Sequence, residues 1–180
     1  MFQIDLVEKC KANDRKAQLK LYKQYCDAMF YVAVGFLKNS DDAEDVVQES
    51  FIKAFQKIEQ YRGEVTFGAW LKKIVINRSL DFLKAKKEEY VELNEGYMKV
   101  VEDEDWSVPD EVTVSRVMTK MEELPEKYKH VVRLFLVEGY DHSEISKILN
   151  LTESACRTRL LRGKGFLKEL LKNKSYVTGS

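Results

Sequence analysis

The feature of this sequence that most limits its possible folds is the scarcity of residues that interrupt a helix. The 180 residues include only two prolines, Pro109 and Pro125, and eight glycines. Proline removes a backbone hydrogen-bond donor and glycine carries an entropic cost, so a chain poor in both can form helices along most of its length. Apolar residues recur at helical spacing on both sides of Pro109. We therefore expect an all-α protein.

The charged residues divide the chain into three blocks, although the formal net charge is zero. Residues 1–87 contain 16 Lys and Arg against 12 Asp and Glu, and residues 112–180 contain 13 against 8. Between them, residues 88–111 contain ten acidic residues and one lysine, without a sustained helical or strand period. This pattern predicts two small helical domains, residues 1–87 and 112–174, joined by an acidic linker, with a tail at 175–180. Such a linker can be merely solvated, or it can connect domains that bind one long polyanion.

Other features of the sequence narrow the class of protein. It contains no apolar run of the roughly 20 residues that cross a membrane, and its first residues do not read as a secretion signal. The three cysteines have no CxxC spacing, which is typical of reduced thiols in the cytoplasm. The two histidines, His130 and His142, lack metal-ligand spacing, and no phosphate-binding loop or nucleophile motif occurs. We therefore expect a cytoplasmic protein that is not an enzyme and has no metal or cofactor.

The segment "NSDDAEDVVQESFIKAF" predicts an amphipathic helix whose first turn is capped by Asn39 or Ser40. One stripe of this helix lies opposite the apolar side at spacings i, i+3, i+4 and i+7. It consists of Asp45, Gln48, Glu49 and Ile52. A polar stripe of this kind is usually only solvated. An acidic patch with an apolar centre also suits a basic partner surface, and the spacing alone does not decide between the two interpretations.

The next segment, "YRGEVTFGAWLKKIVINRSLDFLKAKK", predicts a short loop at Arg62 and Gly63 followed by a helix that Thr66 caps. Aromatic residues alternate with cations here, a combination that serves base stacking and phosphate neutralisation in single-strand binding. The candidate nucleic-acid contacts are Arg62, Thr66, Phe67, Trp70, Lys73, Asn77, Arg78 and Lys84. The alternative is that Phe67 and Trp70 are core residues beneath a solvated helix.

The segment "DHSEISKILNLTESACRTRLLRGKG" predicts a helix, a tight turn and a second helix. Asp141 and Glu144 have capping-box spacing, and Asn150 tolerates a left-handed turn conformation. Thr152 caps the second helix, in which Leu161 is expected on the core side. This arrangement predicts a helix-turn-helix that reads base edges in a major groove, with a cationic helical hairpin as the alternative. The candidate DNA contacts are Thr152, Ser154, Arg157, Thr158, Arg159, Arg162 and Lys164.

From about Leu19 to Leu171 the chain resembles the extracytoplasmic-function (ECF) group of sigma-70 family sigma factors. "DAEDVVQESFIKAF" resembles the family's segment that docks on the coiled coil of the polymerase clamp, and "YRGEVTFGAWLKKIVINRSLDFLKAKK" resembles the part that melts and captures the minus-ten promoter element. "LPEKYKHVVRLFLVEGYDHSEISKILNLTESACRTRLLRGKGFLKELL" resembles the last domain, a helix-turn-helix (winged-helix-like) domain that reads the minus-thirty-five element.

The resemblance implies an alternative-type sigma factor that binds core RNA polymerase, directs it to specific promoters and promotes initiation, with an anti-sigma factor as a further partner. It implies that the stripe from Asp45 to Ile52 contacts the polymerase. It also implies that the loop from Arg62 to Phe67 receives a base extruded from the non-template strand. A helix-turn-helix regulator that binds duplex DNA unaided is the other candidate. Ser146 and Asn150 are mild departures from the family's pattern, in which alanine and glycine are usual at these places. Cys156 and Gly163 are unusual in the recognition helix, so the base preference is not implied.

Overall fold

The computed structural model describes residues 2–88 and 112–172, which form two compact units. The predicted acidic linker, apart from Glu88, and the predicted tail lie outside the described residues. Neither described stretch contains a strand, and the prediction of an all-α protein is confirmed. The helices are α1 Phe2–Lys11, α2 Arg15–Leu37, α3 Ser40–Gln56, the 3-10 helix η1 Ile58–Gln60, α4 Phe67–Glu88, α5 Val114–Met121, α6 Glu126–Leu136, α7 His142–Leu149 and α8 Glu153–Lys172.

The core of the first unit lies between three long helices. α2, α3 and α4 pack against one another and bury Leu21, Phe51 and Leu71 almost completely. α1 adds Val7 and Cys10 to the same core. Burial raises the pKa of the Cys10 thiol to about 11, with a smaller contribution from the charge of Asp14, so this cysteine behaves as a small apolar side chain.

Local capping determines where the helices of the first unit begin. The carboxylate of Asp14 accepts hydrogen bonds from the backbone N–H groups of Lys16 (2.8 Å) and Ala17 (3.2 Å) at the start of α2. Lys38 adopts a left-handed conformation with φ 59° where α2 ends. The side-chain oxygen of Asn39 then accepts from the backbone N–H of Asp42 (2.9 Å), as predicted, and α3 begins. Because this connection is so short, it sets which face of α3 is buried.

The second unit is built around the packing of α6 on α8, with α5 and α7 also in contact with α8. Met121, Leu134, Ile145 and Leu167 from these four helices are almost completely buried. Residues 112–172 contain four helices joined by short turns and no strand, so the helix-turn-helix of this unit is formed by helices alone over those residues.

A buried arginine lies between the two turns that flank α6. Arg133 is only 5% exposed; its Nη1 lies 3.8 Å from Oε1 of Glu122 and its Nε lies 3.9 Å from Oε1 of Glu138. Burial lowers the pKa of Arg133, and the two carboxylates oppose that effect. Since a guanidinium remains protonated in proteins, Arg133 is a charged group that attracts both turns to α6.

The close approach of α6 and α8 depends on a glycine in the middle of α8. A Cβ atom built on Gly163 would lie 2.5 Å from Cγ2 of Val132 and 3.2 Å from Cβ of Tyr128. Contacts this short force neighbouring side chains or helices to move. Gly163 therefore has a packing role, which explains why an otherwise poor helix former occurs inside α8.

We expect Gly163→Ala to lower the free energy of unfolding of the second unit by about 1–2 kcal/mol net. Overpacking costs about 1–3 kcal/mol, and the better helix propensity of alanine offsets about 1 kcal/mol of it. Urea unfolding of the full chain, followed by circular dichroism, measures the change. In a Val132→Ala background the cost of Gly163→Ala should shrink, because the methyl group in conflict is gone. Stabilisation by Gly163→Ala would contradict this account of the glycine.

Candidate functional site

The connection between α7 and α8 has the geometry of a helix-turn-helix. In a capping box, Asp141 accepts from the backbone N–H of Glu144 (2.8 Å), and the Glu144 side chain accepts from the backbone N–H of Asp141 (3.1 Å). Asn150 has the predicted left-handed conformation, with φ 53° and ψ 51°. The hydroxyl of Thr152 accepts from the backbone N–H of Ala155 (3.1 Å) where α8 begins. These local predictions are confirmed.

Three of the residues that depart from the family's pattern are buried in this motif. The hydroxyl of Ser146 donates a hydrogen bond to the carbonyl of Ser143 (2.7 Å), so a polar group in place of alanine is satisfied. Cys156 and Gly163 both lie on the buried side of α8. Burial raises the pKa of the Cys156 thiol, which keeps it neutral. These three residues are therefore packing residues and do not face the solvent.

The exposed side of α8 carries most of the residues predicted to contact DNA. Ser154, Arg157, Thr158 and Arg162 are all exposed. Arg157, whose side chain is 64% exposed, lies 3.7 Å from a carboxylate oxygen of Glu153, one turn before it. An exposed pair of this kind is weak, so Arg157 can exchange it for a nucleic-acid contact at little cost.

Three other predicted DNA contacts of the second unit are partly buried or already form a contact within the protein. Arg159 is partly buried beside the exposed face. The ammonium group of Lys164 lies 4.6 Å from the ring centroid of Phe135, in a cation–π contact. Thr152 is exposed but already uses its hydroxyl as the cap of α8. Ser154, Arg157, Thr158 and Arg162 therefore form the more accessible set.

The structure adds one residue to this face that the sequence interpretation had assigned to the core. Leu161 is 38% exposed and lies one turn after Arg157 and Thr158. Its expected place on the core side was wrong, because the neighbouring Leu160 takes that position and is only 4% exposed. An apolar side chain here suits a thymine methyl group. We call the five residues Ser154, Arg157, Thr158, Leu161 and Arg162 the recognition face.

The acidic stripe on α3 is exposed as a continuous surface, which we call the α3 stripe. Asp45, Gln48 and Glu49 are exposed, and Ile52 is 58% exposed at its centre. A carboxylate oxygen of Glu49 accepts a hydrogen bond of 2.6 Å from Nε of Arg78 on α4. One edge of the stripe is thus connected to α4 by an ion pair, whereas Asp45 makes no ion pair within residues 2–88.

α4 brings together only part of the predicted set. Lys73, Asn77 and Lys84 lie on one side of the helix at helical spacing, and Asn77 and Lys84 are exposed; we call these three residues the α4 face. Arg78 does not belong to it, because its guanidinium faces α3 and binds Glu49. Arg78, which the sequence places beside these three residues, thus has a partner on α3; because this ion pair is exposed, it does not contradict a DNA contact of Arg78, which stays a prediction.

Phe67 is a core residue, and its assignment as a nucleic-acid contact was wrong for this structure. Its side chain is 1% exposed, and its ring centroid lies 5.6 Å from Tyr25, 5.7 Å from Tyr61 and 5.7 Å from Trp70. Burial raises the pKa of Tyr25, and the neighbouring Tyr61 adds to the shift. Trp70 is partly buried in the same cluster, so the core interpretation is correct for Phe67 and partly correct for Trp70.

The loop between η1 and α4 is exposed above this aromatic cluster. Gly63 has φ +76°, a left-handed conformation that glycine adopts without strain, and the chain turns there. The hydroxyl of Thr66 accepts from the backbone N–H of Ala69 (3.2 Å) and caps α4, as predicted. Arg62 and Thr66 are both exposed. This loop lies at the start of the helix that carries the α4 face.

Across residues 2–88 and 112–172, no three His, Cys, Asp or Glu side chains are grouped so that they could hold a metal ion. Over the same ranges, no helix is both long enough and apolar enough to cross a membrane.

Comparison with known proteins relates both units to one family. The family model for sigma-70 region 2 matches residues 21–89, and that for sigma-70 region 4 matches residues 115–167. The ECF RNA polymerase sigma factor SigW of Bacillus subtilis is 29% identical over 180 residues, which cover 93% of this chain and 95% of SigW. The RNA polymerase sigma factor SigV of Bacillus subtilis is 32% identical over 139 residues, or 74% of this chain and 78% of SigV.

A solved structure has the same fold. CnrH, in complex with the cytosolic domain of CnrY, matches with a TM-score of 0.59 at 22% identity, covering 96% of this chain and 99% of CnrH. The chain belongs to the ECF group of the sigma-70 family of RNA polymerase sigma factors. It therefore directs RNA polymerase to promoters when transcription begins.

Proposed function

We propose that the two units of this sigma factor divide the work of promoter recognition. Residues 1–87 bind the clamp coiled coil of core RNA polymerase through the α3 stripe and capture unpaired minus-ten bases with the loop 62–66 and the α4 face. Residues 112–174 bind the minus-thirty-five element through the recognition face. The observation that carries the proposal is the recognition face itself: polar, cationic and apolar side chains exposed in the first turns of the second helix of a helix-turn-helix.

The proposed roles of the α3 stripe and the loop depend on each other energetically. Extruding a base from the duplex costs a few kcal/mol of stacking and pairing energy. Binding to the polymerase offsets that cost by placing the loop and the α4 face beside the melted strand. Lys73 and Lys84 then neutralise phosphates, and Asn77 offers an amide to a base or to the backbone. We propose that this chain has no catalytic activity of its own, because the polymerase carries out the chemistry, and that it acts in the cytoplasm.

We further propose that an anti-sigma factor regulates the chain. The sigma factor RpoE of Bartonella quintana, which shares its fold, was solved in complex with the anti-sigma factor NepR. A regulator that covers the α3 stripe or the recognition face would prevent polymerase or promoter binding. Both surfaces are exposed and combine charge with an apolar side chain, Ile52 in one and Leu161 in the other, and partner surfaces often use that combination.

Run-off transcription from a promoter library tests the proposal. We expect purified core RNA polymerase to start RNA at a distinct set of promoters only when this chain is present. The chain alone should bind those promoters weakly at physiological salt, because its formal net charge is zero and the polymerase supplies much of the affinity. Identical start sites with and without the chain would contradict the proposal. Tight sequence-specific binding by the isolated chain would instead indicate a regulator that works unaided.

A further inference from the structure

A single tyrosine spans the loop that precedes α4. The backbone N–H of Tyr61 donates to the carbonyl of Ile58 (3.1 Å), which attaches the tyrosine to η1. Its ring lies against Phe67 at 5.7 Å and 87° and against Trp70 at 5.4 Å and 49°. Its hydroxyl donates a hydrogen bond of 2.6 Å to the carbonyl of Val65. Tyr61 thus connects η1, where the loop begins, to Val65 near the end of the loop, and its ring packs on the core.

Few other interactions hold the loop that the Tyr61–Val65 hydrogen bond spans. Among residues 2–88, it is the one hydrogen bond formed by any residue from Arg62 to Val65. Gly63 lets the chain turn, and a Cβ atom built there would meet nothing within 4 Å, so this side of the loop is open. Thr66 begins the next structural constraint, the cap of α4. Between the turn at Gly63 and the cap at Thr66, the Tyr61 hydroxyl is therefore the one side-chain group of the described residues that holds residues 62–65 by a hydrogen bond.

We propose that Tyr61 is a positioning residue that sets the base preference of the minus-ten contact, an inference that rests on the proposed function of the loop. A protein reads an extruded base by hydrogen bonds to its edge, and these require donors and acceptors at defined positions. The Tyr61 hydroxyl holds the Val65 carbonyl in place and with it the exposed groups of Arg62 and Glu64. Ordering the loop before DNA arrives reduces the entropic cost of forming those bonds.

Tyr61→Phe separates this role from packing. The substitution removes only the hydroxyl and keeps the ring, so the contacts with Phe67 and Trp70 persist and the first unit should still fold. Tyr31→Phe is the matched control, since Tyr31 is 74% exposed on α2 of the same unit and its hydroxyl makes no hydrogen bond within residues 2–88. Both variants should bind core polymerase as tightly as the parent chain, and Tyr61→Phe should lower thermal stability by no more than the loss of one exposed hydrogen bond explains.

The experiment measures open-complex formation by holoenzyme reconstituted from core polymerase and the full chain. Its DNA is a preferred promoter and a set of derivatives, each with one non-template base of the minus-ten element replaced. For Tyr61→Phe, we expect the discrimination at one position to fall about threefold to tenfold, the effect typical of one intramolecular hydrogen bond. Discrimination at the other positions, and all discrimination by Tyr31→Phe, should not change.

Each other outcome overturns the inference and is distinguishable from the rest. If Arg62→Ala changes the discrimination but Tyr61→Phe does not, the loop reads a base without help from the hydroxyl. A uniform loss of open complexes on every promoter by Tyr61→Phe would mean that Tyr61 is structural only. If neither variant changes the discrimination while the holoenzyme still selects promoters, the loop is not the base-reading element. The proposed role of the loop then fails together with the inference.

Discussion

The double substitution Asp45→Lys and Gln48→Lys should weaken the binding of this chain to core RNA polymerase by at least about 100-fold. The proposed partner surface is basic, and placing like charges together at an interface costs several kcal/mol. Both residues are exposed on α3, and the substitution leaves Glu49 free to keep its ion pair with Arg78. The loss should therefore come from the interface itself. Fluorescence anisotropy of the labelled chain, titrated with core polymerase, measures the dissociation constant.

The effect should be specific to the position of the charge. Asp45 makes no ion pair within residues 2–88, so reversing its charge breaks no internal ion pair. The free energy of unfolding should stay within about 0.5 kcal/mol of the parent. Glu59→Lys is a suitable control, because Glu59 is exposed on η1 of the same unit and lies outside the α3 stripe. Unchanged polymerase binding in the double variant, or an equal loss in the control, would show that the α3 stripe is not the docking surface.

The salt dependence of the affinity for core polymerase provides a second test of the α3 stripe. The acidic part of the α3 stripe acts through exposed charges, and its contribution weakens as ionic strength rises. Ile52, 58% exposed at the centre, contributes through burial of apolar area, which salt does not screen. The difference in affinity between the parent and the lysine variant should therefore shrink at high salt, whereas the contribution of Ile52 should persist.

The features predicted correctly from the sequence are those that neighbouring residues determine. The capping box at Asp141, the left-handed Asn150 and the Thr152 cap all form within a few residues of one another. Each depends on the hydrogen-bonding capacity of one side chain and on backbone conformations that few residue types adopt. The helix-turn-helix could therefore be predicted with its boundaries, and so could the exposed α3 stripe, because its period follows from helical geometry alone.

The sequence interpretation was wrong for Phe67 and Leu161, and missed the ion pair of Arg78, where the outcome depends on distant parts of the chain. Phe67 begins a helix next to cations, but Tyr25 from α2 and Tyr61 from the preceding loop enclose it. Arg78 turns to α3 because Glu49, 29 residues earlier, is within reach. Leu161 follows Leu160, and the packing of α6 on α8 buries Leu160 to 4% exposure while Leu161 stays 38% exposed. The sequence contains a signal for the last case alone, since the spacing from Cys156 to Leu160 to Gly163 already defines the buried side.

The position of the Tyr61 hydroxyl could not be predicted either. A tyrosine before an Arg-Gly pair indicates only an aromatic residue at the edge of a core. That its hydroxyl reaches Val65 depends on the turn at Gly63 and on the tilt of the ring between Phe67 and Trp70. The sequence thus predicts that a loop lies here, while the three-dimensional arrangement of the cluster determines its path.

Arg157→Ala should reduce promoter binding by the holoenzyme about 10-fold to 100-fold and relax its preference at one base pair of the minus-thirty-five element. Arg157 lies near the start of α8, where the second helix of a helix-turn-helix reaches base edges, and a bidentate contact with guanine is worth about 1–3 kcal/mol. Its exposed pair with Glu153 is too weak to prevent that contact. Competition binding on promoters with single base-pair changes measures both the loss and the preference.

A lysine at the far end of the same helix serves as the control for Arg157. Lys172 is exposed in the last turn of α8 and pairs with Glu169 at 3.2 Å. Lys172→Ala removes the same charge as Arg157→Ala but lies beyond the recognition face, so it should change affinity little and equally for every sequence. If Arg157→Ala lowers affinity without changing the preference, Arg157 binds phosphate and the base reading belongs to other residues of the recognition face. If neither variant matters, α8 does not enter the major groove, because a helix that does so cannot lose an exposed arginine from its first turns without consequence.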